Sequence, residues 1–213
     1  MCRKILLAIS VLTVTSFLAL SPVYAAITGS KHDFKSQAWN TTGQICIVCH
    51  TPHNANTAAS APLWNHAVSA ISSYSLYTSP SLNATVGQPS ASSKGCLSCH
   101  DGTVALDSFG ANSGTNYLSG GDNLGTNLSN DHPVSFTYDT ALSTTDGSLN
   151  DPSVKTVTAL GGKTIQAGML IGDKLECGSC HDVHNDKGDA STTSSLLLVN
   201  NTGSALCLTC HKK

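Results

Sequence analysis

The string C-x-x-C-H occurs four times in the 213-residue chain: CIVCH at 46–50, CLSCH at 96–100, CGSCH at 177–181 and CLTCH at 207–211. No other feature restricts the possible folds as strongly. Two thiols three positions apart, one helical turn, are spaced to add to the two vinyl groups on the edge of a porphyrin. The histidine that follows is then tethered beneath the iron, and the whole string is the attachment signature of c-type haem. C-x-x-C also serves zinc sites and redox dithiols, so one copy alone is only suggestive. Four copies use eight of the nine cysteines. Covalent haem is therefore the leading reading. Cys46 and Cys49, Cys96 and Cys99, Cys177 and Cys180, and Cys207 and Cys210 are expected to carry four haem c groups. A zinc site or a disulfide framework is the competing reading.

The ninth cysteine, Cys2, lies in an N-terminal segment of different character. Arg3 and Lys4 precede an apolar run at 5–20, and Val23-Tyr24-Ala25 ends in small-residue cleavage chemistry. This reads as a secretory signal peptide over residues 1–25, followed by one haem-bearing domain at 26–213. The apolar run falls short of the ~20 residues of a membrane span. A retained anchor is the alternative. The expectation is an exported protein, extracellular or at the cell surface, with the periplasm as the alternative and no membrane span once the signal is removed.

Composition supports a haem-filled interior. The chain has four Phe and two Trp, and long Ser, Thr, Asn and Gly stretches replace the usual core builders. A soluble domain of this length normally buries a larger apolar core. Porphyrin plates would make up the shortfall, so the expected fold is mostly irregular loop wrapped on a haem core. Short helices and at most a small β-hairpin complete it. Short helices are expected after the haem motifs, with 103–106 and 196–199 as candidates, the latter readable also as a strand. Residues 108–130 read as loop. KTVTALGGKTIQ reads as a hairpin turning on Gly161 and Gly162.

Charge excludes more than it reveals. Of 11 Lys and Arg, two lie in the leader, against 13 Asp and Glu. The mature chain is mildly acidic and has no basic groove, so nucleic acid is not an expected partner.

The chain looks duplicated. CIVCHTPHN and CGSCHDVHN share the extended pattern C-x-x-C-H-x-x-H-N, and each is followed by a plain motif. Upstream of each lies one more histidine, His32 in KHDF and His132 in NDHPVSF. Two imperfect halves, roughly 26–115 and 125–213, are expected to hold two haems each.

Nine histidines are present. His50, His100, His181 and His211 are the expected proximal iron ligands. His32, His53, His66, His132 and His184 remain, while Met169 is the only methionine after the leader. Five spare histidines for four irons imply bis-histidine ligation throughout. His53 and His184, three residues past a proximal histidine, should turn away from their own iron and reach the next haem. His32 and His132 are the matching early histidines. His66 has no counterpart in the second half and stands as the fifth distal candidate behind the other four, with a hydrogen bond as its alternative role.

KHDF, CIVCHTPHN, PLWNHA, CLSCHDGTVA, DHPVSF, CGSCHDVHN and the terminal CLTCH together resemble the doubled-C-x-x-C-H multihaem cytochrome c family. The resemblance spans the mature chain. It is nearest to four-haem extracellular cytochromes of metal-respiring bacteria that polymerise into filaments, of the OmcE kind. It implies a loop-rich fold, bis-histidine haems stacked in alternating parallel and T-shaped pairs, and one iron that takes a ligand from a neighbouring subunit. His32, near the predicted mature N-terminus, is the expected crossing donor.

The function expected is electron transfer without turnover of a substrate, the cofactor supplying the redox chemistry. The partners expected are other copies of the chain, joined head to tail, and redox proteins or extracellular electron acceptors. A monomeric periplasmic shuttle is one alternative. A multihaem reductase is another, and it would need an open iron and anion-clamping side chains. Past the leader the chain has one glutamate, Glu176, and no arginine.

Overall fold

The computed structural model describes residues 27–59, 61–184 and 196–212. The predicted signal peptide and Asn185 of the second extended motif lie outside the described residues. Most of the described chain is turn, bend and irregular backbone, with four short α-helices and three two-residue strand pairs. Helix α1 spans Ala91–His100, α2 Thr140–Asp146, α3 Ile165–Gly168 and α4 Ala205–Cys210.

Strand β1 (Ser75–Leu76) lies parallel to β2 (Asn127–Leu128), pairing Ser75 with Asn127. β3 (Phe136–Thr137) runs antiparallel to β6 (Lys174–Leu175). β4 (Thr156–Val157) and β5 (Lys163–Thr164) form the expected hairpin, with Thr156 opposite Thr164 and Val157 opposite Lys163. Its turn contains a 3₁₀ segment, Thr158–Leu160, followed by Gly161 and Gly162 at φ 67° and 79°. Left-handed backbone of that kind is open to glycine at little steric cost. The other two pairs join segments far apart in sequence and have no hairpin signal.

Local capping sets the helix ends in the second half. Asp139 accepts from Leu142 N at 2.8 Å at the start of α2, and Gly147 closes it in the left-handed region. Thr164 caps α3 through Ala167 N. Such side-chain caps satisfy backbone donors that the first turn leaves unpaired.

Two sequence expectations need correction. Helices carry the haem motifs rather than follow them: α1 contains the second string, α4 holds the fourth up to Cys210, and 3₁₀ turns at Cys46–Val48 and Cys177–Ser179 open the first and third. Residues 103–106 form bends around Asp101, whose Oδ1 accepts Thr103 N at 2.8 Å and Thr103 Oγ1 at 2.7 Å. At 196–199 the chain makes neither helix nor strand, because Leu196 sits at φ 49°. A left-handed leucine interrupts either ladder.

The second correction concerns the core. The later half does have a side-chain core: Phe136, Tyr138, Val157, Ile165, Met169, Leu175, Leu198 and Val199 pack together. The strand pairs β3–β6 and β4–β5 and helix α3 bring most of these scattered residues into one cluster, and the segment at 198–199 joins them. Around α1 a smaller cluster gathers Tyr74, Leu97 and Leu128. Among the described residues no helix is long and apolar enough to cross a membrane.

Candidate haem sites

Three of the four strings are held by the same backbone device. After the first, Thr51 N donates to Leu63 O at 2.8 Å and Cys49 O accepts from Asn65 N at 2.9 Å, bridging His50 to Trp64. After the third, Asp182 N donates to Leu196 O at 2.7 Å and Cys180 O accepts from Leu198 N at 2.9 Å, bridging His181 to Leu197. After the fourth, Lys212 N donates to Ser148 O and Cys210 O accepts from Asn150 N, both at 2.7 Å, bridging His211 to Leu149. Each histidine N–H also closes a turn onto the carbonyl of the first cysteine, His50 to Cys46, His181 to Cys177 and His211 to Cys207. The two extended motifs match further: Leu63 (φ 53°) and Leu196 (φ 49°) both enter the bridge left-handed. In that alignment the position of His66 is taken by Val199.

The second string is built differently. His100 ends the ten-residue helix α1, and the chain continues helically into Asp101 before Gly102 turns it away. His100 O accepts from Leu124 N at 2.7 Å. Tyr74 Oη donates to Asp101 Oδ2 at 2.7 Å and fixes the helix end.

The imidazoles meet in twos. His50 and His184 have ring centroids 6.1 Å apart and an interplanar angle of 18°. His32 and His100 are 6.1 Å apart at 46°, and His132 and His211 6.4 Å apart at 74°. Two imidazoles bonded to opposite faces of one metal ion at about 2 Å each hold their centroids about 6 Å apart. Among the described residues no three or more His, Cys, Asp or Glu side chains converge as a metal-binding group.

Backbone carbonyls orient several of these rings. His50 donates from Nδ1 to Pro62 O at 2.7 Å, His100 from Nδ1 to Asp122 O at 2.8 Å, and His132 from Nδ1 to Pro133 O at 2.9 Å. A carbonyl only accepts, so Nδ1 carries the hydrogen and Nε2 keeps the lone pair that an iron takes. His32 Nδ1 is buried with no hydrogen-bond partner. Burial above all, then the neighbouring imidazole of His100, pushes His32 down to about 4, a ring held neutral as ligation requires.

The ring of His32 faces His100 of the same chain and touches Phe34 edge-on. Its residue belongs to a turn-rich segment tied by Asp33, which accepts from Gly29 N and Lys35 N.

His66 is 1 % exposed. Its Nδ1 faces Ala67 O at 2.7 Å and its Nε2 faces Ala105 O at 3.0 Å, with Cys99 Sγ at 3.7 Å. Nδ1 thus meets the carbonyl of its own chain neighbour, and Nε2 meets the backbone that follows the second string. His53 is exposed at the rim of a cavity shared with Asn54, Asn56, Asn65 and Asn112, and the ring contacts that pair the other histidines do not include it.

All eight thiols of the four strings are free. Burial pushes Cys49 and Cys180 up to about 11, and Cys99 and Cys210 up to about 12. The strings also lie beside one another in chain order. Cys49 raises the thiol of Cys99, Cys96 and Cys177 lie side by side, Cys207 raises the thiol of Cys180, and Cys180 raises that of Cys210. The contact between Cys96 and Cys177 raises the Cys96 thiol and lowers Cys177. Sequence reasoning did not reach this order, since nothing in a motif says which neighbour it will meet. Free thiols in pairs, imidazoles spaced for one ion and an unpartnered His32 nitrogen fit covalent haem.

A family model for the doubled CXXCH motif matches residues 171–213, spanning the third and fourth strings. No curated protein matches the chain. The matched motif is one of covalent haem c attachment and supports a multihaem c-type cytochrome.

Proposed function

We propose that this chain is an exported four-haem c-type cytochrome that carries electrons along its haems and assembles head to tail into extracellular filaments. The observation that carries the haem reading is the three imidazole pairs at 6.1–6.4 Å. On this reading His32 caps the iron of His100, His184 that of His50 and His132 that of His211. His53 serves the iron of His181, from the same chain or from a neighbouring copy. Haem supplies one-electron chemistry at iron. The chain's residues hold the two ligands of each iron, commit Nδ1 to carbonyls, and set the haems side by side in chain order. Two histidines held at each iron would leave it no vacancy for a substrate and would set its potential below that of a histidine–methionine haem. The filament rests on the flanking strings of the resemblance and on export. A heterologous interface that does not close generates an open polymer.

A pyridine haemochrome assay with intact mass on the exported protein is expected to give four haems per chain, with a low-spin spectrum and no rapid carbon monoxide binding after reduction. Three or fewer haems at full occupancy would sink the reading, and an open iron would favour a reductase. His184→Ala should produce one high-spin haem while His66→Ala leaves the low-spin spectrum unchanged. Electron microscopy of the secreted material distinguishes filament from shuttle.

A further inference from the structure

The chain has a single glutamate, Glu176, and it is fully buried immediately before Cys177. It lies where α1 packs on the 3₁₀ turn Cys177–Ser179. Serine hydroxyls surround its carboxylate. Ser135 Oγ donates to Oε2 at 2.8 Å, Ser93 Oγ donates to the same oxygen, and Ser90 Oγ donates to Oε1 at 3.4 Å. The Ser179 backbone N–H adds a fourth donor.

Two of these hydroxyls are aimed from behind. Ser93 Oγ accepts Cys177 N at 3.0 Å, and Ser135 Oγ accepts Ser90 N at 3.0 Å. A hydroxyl whose oxygen accepts a backbone N–H leaves its own hydrogen for the carboxylate. Four donors therefore converge on an acceptor-only group. Among the described residues the single ion pair is Lys35–Asp33, so none of their cations lies within ion-pair distance of Glu176. The negative charge is held by dipoles alone.

Its place gives that charge a target. Ser93 lies one turn before Cys96, Glu176 adjoins Cys177, and the Cys177 N–H donates to Ser93 Oγ at 3.0 Å, tying the second string to the third. The carboxylate thus sits where the second and third haem edges would meet. We infer that Glu176 lowers the reduction potentials of the haems attached at Cys96/Cys99 and Cys177/Cys180, leaving the outer two untouched. This rests on the four-haem reading. Each reduction adds one electron, delivered by an electrode through a mediator, to a ferric iron, and no bond is made or broken. A fixed negative charge nearby opposes that electron, and burial screens it less than water would. The outer strings, at Cys46–Val48 and on α4, have no buried glutamate beside them.

The test is a spectroelectrochemical titration of the haem-loaded protein, wild type against Glu176→Gln, after haem content and spin state have been measured. Two of the four midpoint potentials should move upward in the variant while the other two stay in place. Four unchanged potentials, or four that move together, overturn the inference. If the variant does not accumulate, infrared redox difference spectra of wild-type protein labelled with [5-¹³C]glutamate decide instead. A labelled carboxylate band displaced on reducing the inner pair supports the inference, and a silent one overturns it. A wild-type protein lacking four haems would instead sink the reading beneath it, so the two failures are distinguishable.

Discussion

The second C-x-x-C-H string and the other three share a sequence pattern and differ in backbone. Strings one, three and four leave their histidine extended and clasp it with two hydrogen bonds to a passing segment, at 63–65, 196–198 and 148–150. String two stays helical through His100 and is steadied instead by Tyr74, Asp101 and the loop at Asp122 and Leu124. The five-residue string thus sets the chemistry of attachment and leaves open how the ligand is held. Neighbouring segments decide that. Clasped strings depend on one backbone partner each. The helical string depends on a buried tyrosine–carboxylate bond and on ten residues of ladder.

Removing a whole attachment site should separate the two kinds most. Cys96→Ser with Cys99→Ser takes out a haem from inside the row of strings, whereas Cys207→Ser with Cys210→Ser shortens the row at one end. Both should retain three haems by haemochrome assay. Only the first should stop electron exchange between the ends, read by stopped-flow reduction of the outer haems. Equal kinetics in the two variants would mean that the strings do not conduct in chain order.

The clasp itself can be probed at its left-handed leucines. Leu196 is 5 % exposed and Leu63 is 54 % exposed. Leu196→Gly loses buried packing worth about 2–5 kcal/mol, partly offset by relief of a left-handed backbone of about 1–2 kcal/mol. Leu63→Gly gains a similar relief with little packing to lose, and the added freedom of glycine when unfolded, about 0.5–1 kcal/mol, brings it near neutral. Thermal melting should show a clear drop for the first and almost none for the second. A large drop for Leu63→Gly would mean that its side chain is covered in the assembled protein.

Smaller effects are expected from the two tyrosines. Tyr74→Phe removes a donor from the buried Asp101 carboxylate, a loss of about 1.5–3 kcal/mol for a bond to a charged group. Tyr138→Phe removes a donor to Asn150 O, the residue that clasps the fourth string, a loss of about 1 kcal/mol for a neutral pair. Denaturant unfolding should rank them in that order. The reverse order would place the greater burden on the clasp.

The contrast also explains what the sequence made legible. Attachment cysteines, the hairpin on Gly161 and Gly162, and the loop-rich character follow from local chemistry, so they could be read directly. The histidine count exposed a surplus, and the lack of a second-half match for His66 is now explained by Val199 at the matching place in the clasp. The clasps were hidden because they use backbone groups, which every residue has. Ser148–Asn150 carries no mark that it will pair with a motif some sixty residues later. Helix α1 was hidden too: Ser92, Ser93 and Gly95 weaken its first turns, and contacts made elsewhere in the chain hold them. The later side-chain core was missed because its members lie in short, separate segments with no shared period.

In the exported, haem-loaded chain proposed above, the pairing of His50 with His184 would set a timetable for maturation. The first haem would be attached long before residue 184 emerges, and would wait with one face of its iron open. String two has no such delay, since His32 precedes it. A nascent chain cut between the second and third strings would hold one closed iron and one exposed to carbon monoxide, oxygen or nitric oxide. Maturation would therefore pass through a reactive stage that the finished protein no longer displays.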